Sequence, residues 1–293
     1  MRTVVVTDST ASLPTELIDR YGIEVIPLHV VVGRDTKAEG VDISGAEVSE
    51  LLASGEQSIT TSGPAPGELV EFYREVAARR EATDIVSVHL SGRISRTVES
   101  AQLAAAAVAD EVTVTVLDSR TLGLAMGYAV CAGADVAAAG ADRVQVGRAV
   151  TSHCASSRAY FYVDSLEFLR RGGRIGAASA LLGSALAIKP LLTVAQGEVQ
   201  PWERVRTRSR ALARLHTQTM EDIAVLAAAG TPARIGVHHC DAADRAQDFA
   251  RGIEDAHVSG SIEVDVVELG AVTSVHTGPG TLAVVISPGI SSQ

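Results

Sequence analysis

Aromatic residues are scarce: four Phe, five Tyr and one Trp make up 3% of the 293 residues. Ala, Val, Leu and Ile must therefore fill the core, which suits helices covering a Val-rich sheet. Cysteine is scarcer still. Cys131, Cys154 and Cys240 are odd in number, widely spaced and free of any Cys-x-x-Cys. Neither a disulfide framework nor a structural zinc site is expected from them, and a reducing cytoplasm is the natural compartment. Positive charge is in deficit: 25 Lys and Arg against 35 Asp and Glu leave a formal net charge of −10. That balance argues against nucleic acid or an anionic membrane surface as the main partner. No run of about eighteen apolar residues occurs, so no stable membrane insertion is expected. The amino terminus turns polar at Thr7, too soon for a signal peptide.

Catalytic signatures are missing too. There is no Gly-x-x-x-x-Gly-Lys-Ser/Thr, no Gly-x-Ser-x-Gly and no His-Glu-x-x-His, and Gly172-Gly173-Arg174-Ile175-Gly176 has the wrong glycine spacing for a dinucleotide fingerprint. His238-His239 has only Cys240 and Asp241 beside it, a poor metal-ligand set. His153, His216 and His257 read as surface residues.

What is present is a chain 46% hydrophobic and 20% charged, globular, with length for one large or two medium domains. Three strands of its first half end in hydroxyl-bearing turns: Thr3–Val6 before Asp8-Ser9-Thr10, Ile85–Leu90 before Ser91-Gly92-Arg93-Ile94-Ser95-Arg96-Thr97, and Val112–Leu117 before Asp118-Ser119. In an open α/β sheet, ligands bind outside the carboxyl ends of the strands, where helix N-termini also offer free N–H groups to an anion. Ile23–Val32 reads as one strand with Pro27 marking an edge or bulge, and Gly33–Asp42 as a polar loop. Thr60-Thr61-Ser62-Gly63-Pro64-Ala65-Pro66 reads as a stiff loop carrying three hydroxyls.

In the second half, Ala177–Leu186 reads as helical, Ile188–Val194 as an edge strand around Pro190, and Gln196-Gly197 as a turn into Glu198–Glu203. Most of the Arg204 to Arg214 series is expected to face water. Arg174, beside two glycines, and Arg206, just before a helix, are the better candidates for meeting an anion. His276, followed by Gly278-Pro279-Gly280, sits where backbone and imidazole can approach a ligand.

Asp8-Ser9-Thr10-Ala11, Thr61-Ser62-Gly63-Pro64, His89-Leu90-Ser91 with Ile94-Ser95, Asp118-Ser119, Leu169-Arg170-Arg171-Gly172-Gly173-Arg174-Ile175, Lys189-Pro190, Val205-Arg206-Thr207 and His276-Thr277-Gly278-Pro279-Gly280 follow one another along nearly the whole chain. This order resembles the DegV family. The resemblance implies an α/β fold of two domains, placed here at 1–155, with a Rossmann-like parallel sheet, and 156–293, with a mixed sheet. It implies a long-chain fatty acid as bound ligand and no other cofactor. It further implies a carrier without catalysis of its own, which presents the carboxylate to a separate ATP-binding fatty acid kinase subunit for conversion to acyl phosphate, feeding phospholipid synthesis.

Carried over residue by residue, Thr61, Ser62, Ser95 and His276 would hold the carboxylate, and Arg174 and Arg206 would gate the site or support phosphotransfer. Burying a sixteen-carbon tail at about 0.8 kcal/mol per methylene gives on the order of 11 kcal/mol, so the tail would supply affinity and the hydroxyls orientation. The chain departs from the family's Leu-Ser-Ser-Gly-Ile/Leu-Ser-Gly-Thr: Gly92 stands for the second Ser, Arg93 for the first Gly and Arg96 for the last Gly. Arginine does not readily take glycine-only backbone angles. The residues alone also allow a stand-alone hydrolase or transferase on a small anionic or acyl substrate, with His276 as acid/base, and a binding module for another small amphiphile.

Overall fold

The computed structural model describes residues 2–55, 58–181, 189–257 and 262–290. In chain order the first half runs β1 (Thr3–Asp8), α1 (Thr15–Tyr21), β2 (Glu24–Ile26), β3 (His29–Val32), β4 (Asp35–Ala38), α2 (Gly45–Ser54) and β5 (Ile59–Ser62). It continues with α3 (Pro66–Arg80), β6 (Asp84–His89), α4 (Thr97–Ala107), β7 (Thr113–Asp118), α5 (Leu124–Ala138) and α6 (Arg143–Ser156). The second half comprises β8 (Arg158–Tyr162), α7 (Glu167–Arg171), β9 (Lys189–Ala195), β10 (Glu198–Val205), α8 (Arg208–Ala228) and β11 (Ala233–His239). It closes with α9 (Ala243–Ala256), β12 (Ile262–Glu268), α10 (Ala271–Thr277) and β13 (Leu282–Pro288).

Strands β2-β1-β6-β7 form an all-parallel sheet, in which the central pair registers Val5 against Val86. Its apolar strands alternate their side chains between two covered faces. Val4, Val6 and Ile85 pack against Leu69 and Tyr73 of α3 and Ala101 of α4. Val5, Val86 and Val88 pack against Met126 and Val130 of α5. The second sheet, β10-β9-β8-β13-β11-β12, is mixed: only β11 and β12 run parallel. Helix α5 touches both sheets, since Val285 of β13 joins its cluster and Tyr128 Oη donates to Ile235 O at 3.2 Å and Asp265 Oδ2 at 2.6 Å. A third, antiparallel sheet, β4-β3-β5, places Thr61 opposite Val30.

Several expectations are corrected. Ile23–Val32 is two strands in two different sheets, broken at Pro27-Leu28, because proline cannot donate to a ladder. The expected polar loop contains β4, and the hydroxyls of Thr60, Thr61 and Ser62 lie on β5. Strand β9 lies inside its sheet between β10 and β8; Pro190 is tolerated because pairing with β8 begins only at Leu191. From Ala177 to Leu181 the chain is 3₁₀-helical, and the rest of the expected helix, 182–186, falls outside the described residues. His153, expected at the surface, is buried on α6. Among the described residues no helix is long and apolar enough to cross a membrane.

Candidate functional site

Asp8 organises the carboxyl ends of β1 and β6. Its buried carboxylate accepts from the N–H and hydroxyl of Thr10, from Leu90 N at 3.0 Å, and pairs with His89 Nδ1 at 3.0 Å. His89 Nε2 continues to Ser87 Oγ at 2.8 Å, and Ser87 to Tyr73 Oη at 2.8 Å. The Leu90–Thr97 turn therefore starts from a fully partnered buried anchor. Within it Ile94 N and Ser95 N both donate to Ser91 O. Ser91 Oγ is spent on Gly197 O at 2.7 Å, which leaves Ser95 as the hydroxyl facing the cavity.

That cavity lies between the parallel sheet's strand ends, β5, α10 and the mixed sheet. Leu28, Leu90, Leu122, Phe161, Val194, Val199 and Val285 give it an apolar body. At its polar end Thr61 Oγ1 and His276 Nε2 share a hydrogen bond of 2.8 Å across 215 residues of chain. Ser62 ends β5 and Gly63 follows it; a Cβ at Gly63 would lie 2.8 Å from Thr97 Oγ1, so the two hydroxyl-bearing segments touch. Ser95 Oγ lies 2.8 Å from Thr97 Oγ1 and accepts from Thr97 N. Arg174 also lines the cavity; its Nε donates to Ile94 O at 3.1 Å and its Nη1 to Gly172 O at 2.6 Å.

Thr61, Ser62, Ser95, His276 and Arg174 thus converge on one space. Arg206 does not: it is exposed between β10 and α8 and lines no part of the cavity. Arg93 and Arg96 also stay outside. Arg93 pairs with Glu198 at 2.6 Å, and neither arginine has a positive φ, so the loop accommodates both without strain.

Burial, reinforced by the positive charge of Arg174, pushes the His276 imidazole down to about 4. Near neutral pH it is therefore uncharged, and its Nδ1 is buried without a hydrogen-bond partner among the described residues. No described carboxylate hydrogen-bonds His276, so the orienting member of a nucleophile–base–acid relay is missing from this side chain. The set of hydroxyls, a neutral imidazole and one guanidinium is suited to receiving an anionic head group at the end of an apolar space. Among the described residues no group of three or more His, Cys, Asp or Glu could hold a metal ion. His238 instead accepts from Leu124 N at 3.0 Å, at the start of α5.

The sequence reading missed Thr273 and Thr277, which line the cavity beside His276. Their spacing, Thr273 three residues before His276, is that of one helix face. Helix α10, however, spans only seven residues and has no side-chain N-cap of its own, so nothing in the sequence marked it.

The DegV family of uncharacterised proteins matches residues 2–289. A DegV domain-containing protein of Streptomyces coelicolor is 44% identical over 283 residues, 97% of each chain, and Protein DegV of Bacillus subtilis is 35% identical over 286 residues, 97% of this chain and 98% of its own. Among solved structures, DegV, a fatty acid binding protein from Bacillus subtilis, superposes with a TM-score of 0.89 at 32% identity, covering 99% of this chain and 100% of its own. A DegV family protein from Thermus thermophilus, described for its fatty acid binding, gives 0.85 at 32% identity with the same coverage. The paired sheets, the cavity between them and the ordered motifs around it are accounted for together: this chain belongs to the DegV family.

Proposed function

We propose that this protein binds a long-chain fatty acid in the cavity and presents its carboxylate to a separate ATP-dependent fatty acid kinase subunit, which forms the acyl phosphate. The observation that carries this reading is the Thr61–His276 hydrogen bond standing, with Ser95 and Arg174, against a largely apolar space. Thr61, Ser62, Ser95 and His276 receive the carboxylate, and the apolar walls take the tail. With the chain divided after residue 155, the hydroxyls come from the first domain and His276 and Arg174 from the second, so the ligand is held between the two. Arg174 reaches over the head group from the Gly172 turn and gates it. Arg206, exposed on the surface, supports phosphotransfer from the side of the kinase subunit. The fatty acid binding reported for relatives in Bacillus subtilis and Thermus thermophilus supports the ligand class. The absence of a phosphate-cradling loop from the sequence is consistent with ATP being bound by the partner, in the cytoplasm.

Incubation with a fatty acid kinase subunit, ATP and hexadecanoic acid, with hydroxylamine to trap acyl phosphate, tests the reading. Hydroxamate is expected only when both proteins are present, and Thr61→Ala and Ser95→Ala should each lower its yield about tenfold at limiting acid, the scale of one hydrogen bond to a charged group. Turnover of an acyl ester or acyl phosphate by this chain alone, abolished in His276→Ala, would instead establish a hydrolase or transferase.

A further inference from the structure

Helix α10 supplies Val272, Thr273, His276 and Thr277 to the cavity wall, yet its N-cap is Gly270, a residue with no side chain to cap it. The missing acceptor comes from far away in sequence. Glu39, just beyond β4, is only 7% exposed, and its Oε1 accepts from Val272 N at 2.7 Å. Its other oxygen, Oε2, accepts from Ser9 Oγ, which in turn accepts from Leu28 N at 2.9 Å. The Glu39 backbone N–H donates to Leu28 O at 2.8 Å. One carboxylate thus ties together the end of β1, the start of the three-stranded sheet and the helix that carries His276.

The surroundings are shaped to admit it. A Cβ on Gly270 would collide with Glu39 Oε1, so glycine at that position is what lets the carboxylate reach the helix. The same three-stranded sheet holds Thr61, the partner of His276. Glu39 therefore joins from behind the two elements whose side chains meet in the cavity.

We propose that Glu39 is a positioning residue that caps α10 in trans and sets His276 against Thr61, without touching the ligand itself. The cap acts through hydrogen-bond geometry: glutamine has a carbonyl for Val272 N and an amide that donates to Ser9 Oγ, whereas alanine has neither. The effect on ligand affinity rests on the fatty-acid reading above; the effect on His276 does not.

The test uses the full chain and two readouts: ¹⁵N NMR of the His276 ring, assigned against His276→Ala, and affinity for hexadecanoic acid. Glu39→Ala is expected to shift the His276 Nε2 resonance towards that of an imidazole without the Thr61 bond and to weaken hexadecanoate binding about tenfold. Glu39→Gln should restore both. Ser9→Ala, a smaller lesion, should move the same resonance in the same direction and keeps the proposal testable if Glu39→Ala does not fold. Asp142→Ala removes a comparable cap from α6, far from the cavity, and should leave the resonance and the affinity unchanged. An unmoved His276 resonance in Glu39→Ala or Ser9→Ala overturns the proposal, as does a Glu39→Gln protein as impaired as Glu39→Ala. If the wild type binds no hexadecanoate, the fatty-acid reading fails while the resonance still decides the role of Glu39.

Discussion

Gly172→Ala is expected to disrupt the head-group site while leaving the local backbone as it is. Gly172 has φ −72 and ψ −10, ordinary right-handed helical angles that alanine accepts readily. The difficulty is purely one of space. A Cβ there would overlap His276 Nδ1 and stand 2.7 Å from Cε1. The ring has little freedom to retreat, because its other nitrogen is bonded to Thr61 and its helix is tied to Glu39. Overpacking of this kind costs about 1–3 kcal/mol, and with His276 receiving the carboxylate as proposed, losing its place there costs about as much again in binding. Affinity for a long-chain acid should therefore fall at least tenfold. A double-mutant cycle isolates the cause: in a His276→Ala background Gly172→Ala should be close to neutral, since the ring it strikes is gone. An equal loss in both backgrounds would mean that the Gly172 turn matters for some reason other than His276.

Acidification should destabilise the protein steeply between about pH 6.5 and 4. Burial pushes the imidazoles of His153, His238 and His276 each down to about 4, with His239 adding to the effect at His238 and Arg174 at His276. A histidine whose folded value lies below its unfolded value of 6.5 stabilises the fold fully above 6.5. That contribution is lost as the pH falls towards the folded value, because the unfolded chain takes up the proton first. Glu39 works in the opposite sense, since burial raises its carboxyl and the folded state protonates earlier than the unfolded one. Each of these three histidines takes up close to one proton on unfolding within this window, about 1.4 kcal/mol per pH unit apiece, and Glu39 offsets part of the fall. Urea midpoints measured from pH 7.5 to 4.5 at constant m-value should show this fall, and a flat profile would mean that these imidazoles are not held neutral by the fold.

Much of this architecture was legible in the sequence because it rests on local signals. The buried strands β1 and β6 are short apolar runs, each ending in hydroxyls. The expectation that Thr61, Ser62, Ser95 and His276 share one site came from the family resemblance and not from local signals; all four line the cavity, while their role at a carboxylate belongs to the proposal. What was not legible depends on tertiary partners. Pro27 separates two strands that join different sheets, a choice made by their neighbours and invisible in Ile23–Val32 itself. Arg206 carries a motif yet lies outside the cavity, and His153 is buried because α6 turns it inward. Glu39 resembles any loop acid until α10 is seen to lack a cap. Arg93, the most conspicuous departure from the family pattern, pairs with Glu198 on the neighbouring hairpin and leaves the cavity as it is.

Native mass spectrometry of the protein as purified, with extraction and identification of any bound lipid, tests whether the cavity holds a fatty acid. One long-chain fatty acid per chain is expected, released on denaturation and rebound by the delipidated protein. A protein that carries no fatty acid and binds none when long-chain acids are supplied would contradict the fatty-acid reading.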